Sequence, residues 1–242
     1  MDSSRDFTSG TITDIGLCYL PVTRIIREGD CTVASQSKLV LWEVDTQMDF
    51  MLPGGKLYVP GAEKLIPNIR RLVDTACENR AFLISSADHH TPEDPEFKIF
   101  PPHCIKGTEG ARVIPEALTQ SLLAVPNESA FRLPSDIARY QQVLIEKQTL
   151  NVFDNLHTAK IVNGLSANAE FFVFGVVTEH CVRCAGKGLL DRGRGVSIVT
   201  DAIEQLDPAA GSKTIAELTV AGAKLITTEA ALARLHSASA AK

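Results

Sequence analysis

The sequence predicts an α/β fold, a three-layer αβα sandwich around a mainly parallel β-sheet. Three observations carry that expectation. At least five short strands alternate with helical stretches between residues 38 and 227. Strand interiors such as LVLWEV, VLIE and FFVFGVV are apolar runs without polar alternation, as expected for strands buried on both faces. The chain has 242 residues, enough for one large core, and no internal repeat, low-complexity linker or compositional break divides it.

Residues 1–36 are mixed in character. GTITDIGLCYLP reads as a strand or an extended wrap and VTRIIREGDCTV as another short element, so this stretch is expected to be an N-terminal extension belonging to the same domain as 37–242. The regular pattern then begins with KLVLWEV (38–44), a short apolar strand. PGAEKLIPNIRRLVDTACENR (60–80) has helical periodicity; Pro60 and Gly61 punctuate its start, and Pro67, lacking an N–H, bends or restarts its first turn. AFLISSA (81–87) is a second strand.

A loop rich in Pro, Asp and His covers 88–109, a length at which loops are more often functional than merely connecting. IPEALTQSLL (114–123) is read as a short helix, and QVLIEK (142–147) as a strand. HTAKIVNGLSAN (157–168) is helical and EFFVFGVV (170–177) is a strand. TEHCVRCAGKGLLDRG (178–193) is a helix beginning near Thr178, whose basic end at 192–194 is closed by Gly193 and Gly195. Strand GVSIVTDA, helix SKTIAELTVAG and strand AKLIT complete the pattern.

Composition narrows the function classes. Net charge is −5, from 24 Lys+Arg against 29 Asp+Glu, with no basic block suited to a nucleic-acid groove. No apolar run approaches the roughly 18 residues that cross a bilayer. The start, MDSSRDFTSG, has neither a basic n-region nor an apolar h-region, so the expected location is the cytoplasm. Six cysteines are too few for a disulfide scaffold, and Cys18, Cys31 and Cys77 read as ordinary thiols. Cys181 and Cys184 have CxxC spacing, but no second pair accompanies them, which disfavours a four-cysteine zinc site. The Gly54-Gly55 pair is a turn; without GxGxxG, neither NAD nor flavin is expected.

Sheets of this kind bind ligands beyond the carboxyl ends of their strands. Asp45, Asp88, Lys147 and Thr178 all fall near such ends, so their loops share one mouth despite large sequence separations. Cys181 is expected in the first turn of its helix, where the dipole and Lys147 would favour a thiolate. Asp45 is placed to take the thiol proton, and the N–H groups around Val177 and Cys181 to stabilise an oxyanion. Asp88 and His90 present two ligands on one side of an extended turn, from which His89 should point away. Glu96 and His103 complete a mixed N/O set for Zn²⁺, Mn²⁺ or Fe²⁺, and Cys104 adjoins it.

At this point VDTQMDFMLPGGKLYVPGAE (44–63), SADHH (86–90), FPPHCIKGTEGA (100–111), EK (146–147) and GVVTEHCV (175–182) together resemble the isochorismatase-like cysteine hydrolases. Within them the nicotinamidase/pyrazinamidase group is the better match, over about residues 38–227. The resemblance implies the isochorismatase-like (Rossmann-like) hydrolase fold and a catalytic triad of Asp45, Lys147 and Cys181. It implies an oxyanion hole at Val177 and Cys181 beside a cis peptide at 176–177, and one divalent metal, zinc before manganese or iron, on Asp88, His90, Glu96 and His103. Phe50 and Phe100 match ring-sandwiching positions, and Asp154 stands at a pocket position. The implied partner is a small aromatic amide, and the implied reaction converts nicotinamide and water to nicotinate and ammonia through a cysteine thioester. Family analogy allows monomers and homo-oligomers alike.

Three departures are visible: Glu179 replaces the usual Asp before the cysteine motif, Asp154 stands where many relatives carry Tyr or another pocket residue, and the N-terminal extension is longer than is typical. The sequence leaves two alternatives open. One is a related hydrolase acting on another small amide, a carbamoyl compound or an isochorismate-like vinyl ether. The other is a non-enzymatic metal-binding or thiol-redox protein.

Overall fold

Among the described residues the apolar runs become seven strands: β1 (Leu39–Val44), β2 (Phe82–Asp88), β3 (Leu122–Val125), β4 (Gln142–Lys147), β5 (Glu170–Val176), β6 (Gly195–Glu204) and β7 (Lys224–Ile226). This computed structural model describes residues 39–240. The expected N-terminal extension, with Cys18 and Cys31, lies outside the described residues. The strands form one sheet in the order β3-β4-β2-β1-β5-β6-β7, and every pairing is parallel. The helices are α1 (Met48–Met51), α2 (Ile66–Cys77), α3 (Thr158–Asn163), α4 (Arg183–Leu190), α5 (Pro208–Val220) and α6 (Thr228–Ala240). Pro67 is the second residue of α2, after a 3-10 turn at Ala62–Leu65, so the expected restart is present.

Each sheet face buries its own apolar cluster. Trp42, Ile84, Val143 and Phe171 pack on one side with Ile161 of α3, Leu189 of α4 and Leu218 of α5. Leu41, Leu83, Phe172 and Phe174 pack on the other with Leu72 of α2 and Leu235 of α6. The expected three-layer sandwich is therefore observed, with strands buried on both faces.

Two elements differ from expectation. In the stretch expected as a helix over 114–123, only Pro115–Ala117 turns, as 3-10 helix, and Leu122–Val125 is an edge strand. Pairing with β4, from Leu122 opposite Gln142 to Val125 opposite Ile145, overrides a local pattern too short to specify either state. Helix α6 follows β7 without having been anticipated; Ala231, Leu232 and Leu235 form its buried stripe.

The chain proceeds from β1 to one side through β2 and β4, then returns to β5 beside β1 and continues the other way. Such a reversal opens a crevice beyond the carboxyl ends of the two central strands. Gly175 lets them approach closely there: its φ is +114°, and a Cβ would lie 2.1 Å from Val44 O. A side chain would push apart the two strands that precede Asp45 and Cys181.

β1 also buries a carboxyl among apolar residues. Glu43 is fully buried, contacts Thr46 Oγ1 through Oε1, and leaves Oε2 without a hydrogen-bond partner. Burial pushes its pKa from 4.5 up to about 7, opposed by hydrogen bonds from Ser85 and Thr46. The unfolded chain releases this proton near pH 4.5, whereas the fold retains it until about 7. The stability contribution is thus complete below pH 4.5 and lost as pH rises through about 7, a change of about 3 kcal/mol. Glu43→Gln, which does not titrate, is expected to gain stability relative to wild type between pH 5 and pH 8 by roughly that amount. Urea unfolding at both pH values checks this, and a stability difference independent of pH would contradict it.

Candidate active site

Asp45 follows β1, Asp88 and Lys147 end β2 and β4, and Cys181 lies in the turn after β5. The parallel register puts Asp88 directly opposite Lys147. Asp45 adopts a left-handed φ of 49°, which an Asp tolerates better than most residues. Its turn is fixed twice by Ser86, whose carbonyl accepts from Asp45 N–H at 3.1 Å and whose hydroxyl donates to Oδ1 at 2.7 Å. Oδ2 is left without an aligned hydrogen bond and meets Lys147 Nζ at 2.9 Å.

Lys147 Nζ is buried between three groups. It lies 2.9 Å from Asp45 Oδ2 and 3.4 Å from Cys181 Sγ, and also pairs closely with Asp88 Oδ1. Burial works against its charge, but Asp45 and Asp88 together hold the ammonium well above the ordinary lysine range. Burial likewise raises Asp88, yet Lys147 and the imidazoles of His103 and His90 hold its carboxylate far below the usual range. Asp45 is raised by burial and by Asp88, with Lys147 opposing.

Cys181 departs from expectation in its protonation. Burial pushes the thiol well above its ordinary value, and Asp45 and Asp88 add to this against the pull of Lys147. The resting group is a thiol rather than the expected thiolate, because desolvation and two carboxylates outweigh one cation. Its turn is also wider than expected: Thr178–Val182 is π-helical before α4 begins. A cis peptide joins Val176 to Val177, and Val177 O accepts from the N–H groups of His180 and Val182, on either side of Cys181.

The thiol faces a narrow pocket. Asp45, Asp88 and Cys181 form its polar floor; Phe50, Leu57, Phe100, Leu150, Val176, Val177 and Leu206 form apolar walls. Glu96, His103 and His180 complete the lining. Phe50 and Phe100 lie 5.2 and 6.4 Å, centroid to centroid, from the His103 ring. The pocket brings a thiol, a carboxyl and an imidazole together between apolar walls.

Asp88, His90, Glu96 and His103 each direct one donor atom into a cluster whose members lie within 4.8 Å of one another. Their fit to a divalent ion has a physical sign: His90 Nε2 is buried without a hydrogen-bond partner, 3.7 Å from Asp88 Oδ2. A buried polar nitrogen without a partner is costly unless something ligates it. Two nitrogens and two carboxylate oxygens are donors suited to zinc, manganese or iron.

The remaining expectations divide. His89 points away, as expected, and its Nδ1 meets Glu146 Oε2 at 2.7 Å. Asp154 does not line the inner cavity. It is exposed, accepting from Thr149 Oγ1 and Asn151 Nδ2, beside an outer groove that shares Glu96, Phe100 and Leu150 with the cavity. The reason is local, since the 3-10 turn Val152–Asp154 ties its carboxylate to the residues just before it. Cys104 is buried against Gly110 O, outside the ligand cluster, and Cys184 lines a separate cleft with Arg183 and Lys187.

Two supporting residues were not legible in the sequence. Gln47 grips the Asp88 backbone from both sides: Nε2 donates to Asp88 O at 2.8 Å and Oε1 accepts from Asp88 N–H at 2.7 Å. Glu179 Oε1 accepts from Leu206 N–H and Asp207 N–H at 3.0 and 2.8 Å, anchoring the loop that supplies the Leu206 wall. Both act on backbone distant in sequence, which no local motif signals.

Comparison with known proteins places these features in context. The family model described as Isochorismatase domain matches residues 39–230. A nicotinamidase of Escherichia coli (strain K12) is 24% identical over 205 residues, covering 76% of this chain and 92% of that protein. The structure of a pyrazinamidase of Pyrococcus horikoshii in complex with zinc superposes with a TM-score of 0.63 at 26% identity, covering 78% of this chain and 99% of the other. That of an N-carbamoylsarcosine amidase from Thermoplasma acidophilum superposes at 0.61 and 25% identity, covering 79% and 96%.

Proposed function

The chain belongs to the isochorismatase domain family, and on that premise we propose that it is a nicotinamidase-like amidohydrolase, converting nicotinamide and water to nicotinate and ammonia. One observation carries the reading. Lys147 Nζ sits between Asp45 and Cys181 Sγ, at 2.9 and 3.4 Å, in a pocket that also contains donors for a divalent metal.

In this reading Cys181 Sγ attacks the carboxamide carbon while Asp45 Oδ2 takes the thiol proton. Lys147 stabilises the negative charge that moves between the two. The tetrahedral oxyanion is directed to the N–H groups of Val177 and Cys181. Asp45 returns the proton to the departing nitrogen, ammonia leaves, and the acyl group remains as a thioester on Cys181. Asp45 then takes a proton from water as it attacks the thioester carbon; nicotinate is released and the thiol regained.

Phe50 and Phe100 flank the ring. Asp88, His90, Glu96 and His103 would hold the metal, which when bound supplies a Lewis-acidic anchor for a heteroaromatic nitrogen. Asp154, from its exposed place by the outer groove, would meet only a substrate extending past the ring.

Ammonia release from nicotinamide, before and after chelation, tests this. Turnover is expected in the metal-loaded protein, lost on chelation and regained on adding zinc or manganese. No ammonia from folded, metal-loaded protein would overturn the nicotinamide assignment. Given the likeness to an N-carbamoylsarcosine amidase, carbamoyl compounds would then be the next series to assay.

A further inference from the structure

We propose that Asp94 is a positioning residue for the metal centre, holding His90 in the tautomer that leaves Nε2 free to ligate. The inference rests on the metal reading given above.

Asp94 divides its carboxylate between two tasks. Oδ1 accepts from Glu96 N–H at 3.1 Å, capping the 3-10 turn Pro95–Lys98 that carries Glu96. Oδ2 lies 3.0 Å from His90 Nδ1, with the two side chains 8% and 0% exposed. That approach is close without being aligned as a hydrogen bond, and His90 Nε2 has no hydrogen-bond partner either. A buried imidazole with neither nitrogen satisfied is an unfinished arrangement. It is completed when Nε2 takes a ligand and Nδ1–H turns onto the carboxylate.

His103 shows the same plan in finished form. Its Nδ1 lies 2.7 Å from Pro101 O, and its Nε2 faces Asp88 Oδ2 at 3.6 Å and Glu96 Oε1 at 3.9 Å. His90 Nε2 faces the same Asp88 oxygen at 3.7 Å. Both imidazoles therefore aim Nε2 at one place and leave Nδ1 to an outer acceptor. For His103 that acceptor is backbone; for His90 it is a side chain and can be changed. Outer partners of this kind fix the tautomer and orientation of metal-binding histidines.

Because the two carboxylate oxygens have separate jobs, two substitutions act differently. In Asp94→Asn the oxygen remains with Glu96 N–H, so the NH₂ must face His90 Nδ1. It then donates to Nδ1 and favours the Nε2–H tautomer, which cannot ligate. In Asp94→Ser the cap is kept, since Ser also caps well, but nothing reaches Nδ1.

The test measures Zn²⁺ affinity by chelator competition for wild type, Asp94→Asn and Asp94→Ser, all as full-length chains. Thermal melts of the metal-free proteins and ¹⁵N spectra of their histidines accompany it. Both variants should bind zinc about 10–100-fold more weakly, with Asp94→Asn the weaker of the two. Melting temperatures should be unchanged, and His90 should shift toward the Nε2–H tautomer in Asp94→Asn. Wild-type affinity in both variants would overturn the inference while leaving the metal reading intact. A wild type that takes up no zinc would overturn both.

Discussion

Cys181→Ala is expected to lower kcat/KM for ammonia release from nicotinamide by about ten-thousand-fold or more, while the protein stays folded and retains its metal. In the proposed mechanism the thiol is the nucleophile: it lines the pocket with Lys147 Nζ at 3.4 Å, and Asp45 Oδ2, ion-paired with the same Nζ at 2.9 Å, lies beside it. Cys184 cannot replace it, because it lines a separate cleft. Activity and structure should therefore separate cleanly in this variant. Removing one small buried sulfur is expected to change stability by no more than about 1–2 kcal/mol. Steady-state ammonia release, urea unfolding and mass spectrometry of quenched reactions check the three parts. Wild type should show a mass increase from an acyl adduct, and the variant none. Retention of more than about one per cent of the wild-type rate would remove Cys181 from the proposed mechanism.

Lys147→Met should have the largest effect on stability. The substitution leaves Asp45 and Asp88, each about 1% exposed, without the ammonium they share. Breaking a buried pair by deleting one partner costs about 3–5 kcal/mol, since the remaining charge has no water to turn to. Here two carboxylates are left together, so part of the cost should appear as proton uptake by one of them. Combining Lys147→Met with Asp88→Asn is expected to recover part of the stability without restoring catalysis. Urea unfolding of the single and double variants decides the matter. A single variant within about 1 kcal/mol of wild type would mean that the three charges are less strongly coupled than their geometry requires.

The sequence showed more of the floor of the site than of its scaffolding. Asp45, Lys147 and Cys181 stood out because each followed an apolar run, and runs of that kind end at the carboxyl edge of a parallel sheet. Asp88, His90, Glu96 and His103 stood out by clustering in a loop too long to be a plain connection. Residues that work through someone else's backbone gave no such signal. Gln47 reaches Asp88, 41 positions away, and Glu179 reaches the amides of Leu206 and Asp207. Asp94 was hidden among neighbouring acids until its distance to His90 set it apart.

Strand β3 was missed because LLAV is too short to reveal its state by periodicity, and α6 because its stripe began directly after the last expected strand. The protonated resting state of Cys181 was missed for another reason. Sequence position indicates a helix start and a neighbouring lysine, but not the depth of burial that opposes both.

The pairing of Asp88 with Lys147 across β2 and β4 also bears on how the chain avoids folding wrongly. Moving β4 by one residue toward its carboxyl end would bring Glu146 opposite Asp88, where Lys147 now stands. Two carboxylates would meet at the end of the ladder, and Val143 and Ile145 would rotate out of the cluster they now fill. The misaligned sheet would thus be penalised by like charge and by disrupted packing on both faces together. The ion pair at the floor of the pocket favours the observed strand alignment over that slip, adding to what the hydrophobic pattern alone specifies.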